Sequence, residues 1–504
     1  MSAFRHECVV AIPNAAQKVI AYLEAAGFQA YIVGGCVRDS LMGKVPHDWD
    51  ICTNALPDDV IRIFGTNNTI PTGLKHGTVT VNDGGQYEVT TFRIDGKYLD
   101  GRHPDSVRFV RSLAEDLARR DFTINAMAYN PATGLVDIFG GENDIQKGVI
   151  RAVGEPRKRF QEDALRILRA VRFSAKLGFA IESQTYEAMG REICGLDKVS
   201  AERIGSEILE IVTASFAKQA LSAHNGMVIR YVIPELGVCY GVEQNNRYHH
   251  EDVFYHIMST LGNAETCHQF PDEWADKYVR MALLLHDIGK PQCKTTDENG
   301  YDHFYKHAPA SAELAEKVLR RLRYSNEFID TVVELIRYHD AEFVPTKPCA
   351  RRFLNKLGVD QLHRLLKLRE CDNRAHTPAA WAKFDNQTVP FAEVLQQVLD
   401  EESAFKLKDL AINGKDLIAA GYKPGKGMGR VLDALLEEVI NEQIPVYTPV
   451  LDATVVSPAA TDVDAARDFL RGMDFELGGD VSILMAGTRT LMPLYVANNE
   501  EATR

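Results

Sequence analysis

Over residues 1–150, short β-branched runs alternate with helical patterns such as Ala15–Ala26, which predicts an α/β region. The runs are Ala30–Val33, Trp49–Cys52, Thr78–Val81, Tyr87–Phe92 and Val107–Val110. From Pro156 onward the strand pattern disappears and helical periodicity takes over. Glu162–Leu177 reads as one helix, with Ala164, Leu165, Leu168, Val171 and Ala175 on one face and Arg166, Arg169, Arg172 and Lys176 round the other. Helical patterning continues to about Asn441, interrupted by turn-rich segments near Asn245, Thr295–Gly300 and Tyr422–Gly429. Thr448–Arg504 returns to β-branched and Gly-rich sequence and suggests no role of its own.

Composition sets outer bounds. The 504 residues are 45% hydrophobic and 25% charged, which excludes disordered, collagen-like and coiled-coil chains and leaves room for about three or four domains. No apolar run reaches the roughly 18–20 residues that span a bilayer, and Arg5, His6 and Glu7 stand where a signal peptide would be apolar. A cytoplasmic protein without a membrane partner is expected. Nine cysteines with no Cys-x-x-Cys pair predict reduced core thiols rather than a disulfide framework or zinc ribbon. The net charge of −13 argues against a polyanionic partner, but two stretches reverse the sign. Arg151–Lys176 holds eight Lys/Arg against three Asp/Glu and Lys347–Arg369 seven against one, so both are candidate RNA-facing surfaces.

Candidate chemistry begins at Tyr31-Ile-Val-Gly34-Gly35-Cys-Val-Arg38-Asp39, an apolar strand entering two glycines and a helix start. Such a turn lets backbone amides approach a triphosphate while Arg38 adds charge. Ten residues on, Asp48-Trp-Asp50 lies on a predicted strand, where residues i and i+2 share a face and both carboxylates can hold magnesium. Alone, Asp-x-Asp is also a common strand-edge charge pair. The order strand, Gly-Gly, helix, Asp-x-Asp makes it specific, with Glu88 a third acidic candidate and a surface carboxylate its plainer alternative.

In order and spacing, Gly34-Gly35-x-Val37-Arg38-Asp39, Asp48-x-Asp50, Arg119-Arg120-Asp121-Phe-Thr-Ile-Asn125-Ala126 and Glu162-Asp163-x-x-Arg166-x-x-Arg169-Ala-x-Arg172-Phe173 resemble class II tRNA nucleotidyltransferases and bacterial poly(A) polymerases. The resemblance covers residues ~30–215 and implies a polymerase-β-like head sheet. It implies that Asp48, Asp50 and Glu88 are catalytic, with magnesium on the first two. It further implies that Gly34, Gly35, Arg38, Arg120, Asp121, Asn125, Asp163, Arg166, Arg169 and Arg172 bind nucleotide. Within that set Asp121 would accept a bond from the ribose 2′-hydroxyl. Asp163 and Arg166, one helical turn apart, would read the base of CTP or ATP, since a carboxylate and a guanidinium together match the edge of cytosine or adenine. Arg169 and Arg172 would meet the triphosphate. Gly96–Val107 resembles the flexible loop of full CCA-adding members, and Ser200-Ala-Glu-Arg203-Ile the neck helix.

Further along, His256 on an apolar-periodic segment, His286-Asp287 after a buried run, and His339-Asp340 resemble the HD phosphohydrolase superfamily. The resemblance implies a mixed N/O site of His256, His286, Asp287 and Asp340, suited to magnesium or a divalent transition metal. His307 and His339 could serve a second metal or a phosphate, whereas His249-His250 fit a nearby loop. The alternative is a degenerate helical domain kept for tRNA binding.

The expected chain is therefore an α/β head over 1–155, an all-α neck over 156–225, an HD region over 226–370, a helical tail over 371–447 and an extension of unknown fold over 448–504. Its expected activity is template-independent addition of C, C and A to tRNA 3′ ends from CTP and ATP, with a possible HD-domain phosphohydrolase. The rivals are a poly(A) polymerase or a CC- or A-adding enzyme, and an HD phosphohydrolase with an RNA-binding head.

Overall fold

In the computed structural model, residues 10–95, 107–401, 406–410, 413–419, 423–441 and two strands near the C-terminus are described. The chain forms two compact units, Met1–His268 with Ala275–Arg337, and Gln269–Trp274 with Tyr338–Arg504. The cut after Arg337 falls inside the HD region expected over 226–370.

The first unit opens with helix α1 (Asn14–Ala25), strand β1 (Ala30–Val33), α2 (Gly35–Leu41), β2 (Ile51–Thr53), α3 (Pro57–Phe64), β3 (Thr69–Gly73), β4 (Thr78–Asn82) and β5 (Gln86–Thr91). It continues with β6 (Arg93–Asp95), β7 (Val107–Phe109), α4 (Leu113–Ala118), β8 (Met127–Asn130), β9 (Gly134–Asp137) and α5 (Gly141–Lys147). Seven strands form one mixed sheet in the order β3-β4-β5-β2-β1-β8-β9, and β6 pairs with β7 separately. Successive residues of β1, β2 and β8 supply opposite faces, which is why these strands read as continuous apolar runs. Ile32, Ile51 and Met127 join Val19, Ile20 and Leu23 of α1 in one core. Val33, Cys52 and Ala128 join Phe92 and Leu117 in another.

The helix expected over Glu162–Leu177 begins three residues later, as α7 (Leu165–Leu177), and Glu162 instead ends a separate helix, α6 (Pro156–Glu162). Asp163 is extended at the break, and its Oδ1 accepts the backbone N–H of Leu165 at 3.0 Å, a local turn just ahead of the second helix. Hydrophobic periodicity runs on across this break, which hid it. Helices α8 (Ser183–Glu192) and α9 (Ala201–Val212) follow, with α9 packed along α7. Strand structure does not vanish after Pro156: Ala180–Ile181 pairs with Val149–Ile150, and Thr295–Thr296 with Asp302–His303.

Farther on, the helix Val253–Asn263 is capped by Asp252 and Lys277–Leu285 by Asp276. The second of these is buried from Met281 to Leu285, so it delivers His286 and Asp287 into the interior.

Among its described residues the second unit is mostly helical as far as the helix Lys426–Ile440. Lys367 and Glu370 form a buried pair at 3.0 Å, and Glu370 accepts the backbone N–H of Gln269 at 2.6 Å. Trp274 stacks on His363. Strands Val481–Gly487 and Thr490–Val496 pair antiparallel. No described helix is long and apolar enough to cross a membrane. The eight described cysteines are free thiols; Cys36, Cys52, Cys239 and Cys371 are buried as expected of core thiols, whereas Cys194 is exposed and Cys267, Cys293 and Cys349 are half-buried.

Candidate functional site

Strand β1 ends in Gly34, which turns the chain with φ +84° and donates its N–H to the Met127 carbonyl at 3.1 Å. A Cβ there would stand 3.1 Å from Arg120 Nη1, in a backbone conformation that side chains disfavour, so glycine is required twice over. Gly35 then begins α2, and Arg38 donates Nε to Asp39 Oδ1 at 2.8 Å and Nη1 to Asn125 Oδ1 at 2.7 Å. Asn125 Nδ2 donates to Asp121 Oδ1 at 3.3 Å, and Asp121 Oδ2 accepts Nε and Nη2 of Arg169 at 2.9 and 2.7 Å. A continuous chain of bonds therefore joins α2 to α7. Burial opposes ionisation of Asp121, but Arg169, Arg166 and the Phe122 N–H bring its pKa down to about 2. The guanidinium carbons of Arg38, Arg169 and Arg172 lie 5.4, 5.5 and 5.1 Å from the Phe173 ring centroid. Three arginines thus gather around one aromatic ring, each also paired with a carboxylate: Arg38 with Asp39, Arg169 with Asp121 and Arg172 with Glu207.

Asp48 and Asp50 precede β2 rather than lying on it as expected. The Asp50 carbonyl accepts the Val33 N–H at 3.0 Å, which fixes the segment against the end of β1. Because β2 runs parallel to β5 with Ile51 opposite Val89, one step back sets Asp50 beside Glu88. All three acidic residues are open to solvent on one side. On the other side Asp50 is crowded: lost hydration, then the charges of Asp48 and Glu88, push its pKa up to about 6 against the opposing pull of Arg120. Three carboxylates gathered in this way form a favourable seat for divalent cations.

Asp163 and Arg166 do not face each other along one helix. Asp163 Oδ2 pairs with Arg203 of α9 at 3.1 Å. Arg166 is buried and donates to Glu162 Oε2 at 2.9 Å, to the Arg159 carbonyl at 3.2 Å and to the Arg119 carbonyl at 3.0 Å. Arg172 pairs with buried Glu207 at 3.2 Å, and Lys176 with Glu210. Arg157 pairs with Glu192 and Arg151 with Asp144, so much of the expected basic surface over 151–176 is neutralised within the fold. Over 347–369, Arg351, Lys367 and Arg369 are buried as well. The expected loop at 96–106 lies outside the described residues.

Sequence reasoning passed over Asp116, Glu207 and Lys290 and gave Phe173 no role. Asp116 stands three and four residues before Arg119 and Arg120, a helical spacing that could have marked it.

The second cluster forms in the first unit. Asp287 is fully enclosed, with His286 Nε2 3.2 Å and His256 Nε2 3.4 Å from its Oδ2, and His307 Nε2 3.5 Å from its Oδ1. Nδ1 of His286 and of His307 each lie 2.9 Å from a backbone carbonyl, Leu283 and Phe304, which turns both Nε2 atoms toward the carboxylate. Imidazole nitrogens converging on a carboxylate form a mixed N/O donor set that fits a divalent metal. Lys290 Nζ, 2.7 Å from Asp287 Oδ2 and 2.9 Å from Gln244 Oε1, supplies positive charge at the same point. Burial resists the charge on Asp287, yet His286 and Lys290 hold its pKa well below the usual range. His249 stacks edge-on against His256 with centroids 5.3 Å apart. Asp340 is exposed and belongs to the second unit, where the preceding His339 is buried and its carbonyl accepts from Arg369 at 2.9 Å.

The mixed sheet, the Gly-Gly turn and the three carboxylates at its edge define a nucleotidyltransferase. Residues 30–151 match the poly(A) polymerase head domain, 178–236 the "Probable RNA and SrmB-binding site of polymerase A", and 295–454 a tRNA nucleotidyltransferase domain 2. A CCA-adding enzyme of Limosilactobacillus fermentum is 35% identical over 85% of this chain and 93% of its own length. One of Lactiplantibacillus plantarum is 52% identical over 86% of this chain and 93% of its own. The solved Bacillus stearothermophilus CCA-adding enzyme in complex with CTP is 32% identical, with a TM-score of 0.62 over 86% of this chain and 94% of that one. The chain belongs to the CCA-adding enzyme family.

Proposed function

We propose that this chain adds C, C and A to the 3′ ends of tRNA from CTP and ATP without a nucleic-acid template, using magnesium held by Asp48 and Asp50 with Glu88 beside them. The observation that carries this reading is the strand register that sets Asp50, two residues after Asp48, beside Glu88 and against the end of β1 at the Gly34 turn, where Arg120 also lies. When bound, magnesium would assist ionisation of the attacking 3′-hydroxyl and neutralise the pyrophosphate. Arg38, Arg120, Arg169 and Arg172 bind the triphosphate, and the Gly34–Gly35 turn lets the backbone approach it. Asp163 supplies acceptors and Arg166 donors to the base edge, with Arg203 and Glu162 orienting them. Four donors already occupy the Asp121 carboxylate, so a ribose hydroxyl reaches it by displacing the longest, the 3.3 Å bond from Asn125.

The test is addition to tRNA lacking its CCA end by Asp48→Ala and Asp50→Ala. Loss of both C and A incorporation with tRNA binding retained supports the assignment, and retained addition by Asp48→Ala refutes it.

The His256–His286–Asp287 cluster favours a second activity, metal-dependent hydrolysis of phosphoesters such as cyclic phosphates at RNA ends. Those three residues of the first unit would hold the metal; the exposed Asp340 belongs to the second unit and is not counted among them.

A further inference from the structure

We infer that Asp116 is a positioning residue of the transfer site: it draws Arg120 back from the carboxylates so that a divalent cation can take the place in front of them. This rests on the reading of Asp48, Asp50 and Glu88 as the metal-binding group.

Asp116 lies on α4, 1% exposed, and both its oxygens are engaged. Oδ1 accepts Nε and Nη2 of Arg119 at 3.0 and 2.8 Å and the backbone N–H of Arg93 at 3.3 Å. Oδ2 accepts Nη2 of Arg120 at 3.3 Å. The other end of that guanidinium lies against the Gly34 turn, where Nη1 fills the space a Cβ would need. Gly34 follows Val33, whose N–H bonds the Asp50 carbonyl at 3.0 Å, so this end of Arg120 stands at the Asp50 segment. Arg120 is thus bracketed, with Asp116 behind it and Gly34 and Asp50 ahead. Burial works against a charge on Asp116, but the two arginines keep it ionised.

A guanidinium is a monovalent cation in competition with any metal for three carboxylates. Held by Asp116, it can contribute to triphosphate binding without seating among them. Released, it is drawn to the nearest negative charge, which is the metal seat. An opposite charge brought against a carboxylate favours its ionised form by about one to three pKa units, and a metal ion has to overcome the same attraction.

The test is Asp116→Asn, nearly identical in shape, assayed for C addition across a magnesium titration. The magnesium needed for half-maximal rate should rise about tenfold or more, and saturating magnesium should restore kcat toward the parent value. Manganese binding to the nucleotide-free full chain, read by electron paramagnetic resonance, should weaken in proportion. In the double variant Asp116→Asn/Arg120→Gln no cation remains to swing forward, so its magnesium requirement should equal that of Arg120→Gln alone. A loss of rate that magnesium does not relieve, or single-variant effects that multiply in the double variant, would overturn the inference. If Asp116→Asn does not fold, Arg120→Lys asks the same question. An ammonium cannot bridge Gly34 and Asp116 at once, so the magnesium requirement should again rise, and an unchanged one overturns the inference. A parent protein that adds nucleotides without any metal dependence overturns the metal reading and this inference together. A metal-dependent parent with an unaltered Asp116→Asn overturns this inference alone.

Discussion

Replacing Asp121 with Asn removes one negative charge from the chain of bonds that ties the Gly-Gly turn to α7. In the folded protein the Asp121 pKa is about 2, against an ordinary value of 3.8. That difference of roughly 1.8 units, at ~1.36 kcal/mol each, corresponds to about 2 kcal/mol of folding free energy. Because the folded pKa is depressed, this stabilisation is complete above pH 4 and is lost as pH falls from there through 2. Asp121→Asn should therefore unfold about 2 kcal/mol more easily at pH 7, and the gap between the two proteins should close toward pH 2. Urea unfolding resolves this if Trp274 and Trp381 are replaced by Phe, because the remaining Trp49 packs against the head core and reports its transition. The affinity for CTP should fall as well, since Arg169 and Asn125 lose the carboxylate that aligns them. A difference under about 0.5 kcal/mol at pH 7, or one that persists unchanged to pH 2, would mean that Arg169 is held by something other than this pair.

Gly34→Ala should destabilise the turn by about 1–2 kcal/mol and raise KM for CTP, because the new methyl pushes Arg120 aside; an unchanged KM in steady-state kinetics would contradict this. Arg166→Ala should relax the preference for C over U in kcat/KM by about tenfold or more, and full selectivity would move base recognition to other groups. His286→Ala should abolish metal-dependent phosphohydrolase activity while CCA addition continues. Lost addition with an unchanged thermal melt would show that the His–Asp cluster takes part in nucleotide transfer.

The head was legible in sequence because its strands are apolar on both faces and its chemistry is local. Gly34, Gly35, Arg38, Asp48 and Asp50 fall within seventeen residues, and the sheet needs only to bring Glu88 alongside. The break at Asp163 was not legible, since the side-chain periodicity of α6 continues into α7 and only the Asp163 to Leu165 bond marks the change. Nor was the fate of the arginines. Counting charge along 151–176 predicts an exposed basic strip, but Asp121, Asp144, Glu192, Glu207 and Glu210, which neutralise it, come from other segments. Asp116 and Lys290 were hidden differently. Each looks like an ordinary surface charge until folding buries it against partners three or four residues away.

The most direct measurement of the central claim is a single-nucleotide-resolution gel of tRNA lacking its last three residues, incubated with CTP alone, ATP alone, UTP or GTP alone, and CTP with ATP. Two added residues with CTP, three with CTP and ATP together, and no extension by UTP or GTP are predicted. A long adenylate ladder from ATP alone, or equal use of all four nucleotides, would contradict the account.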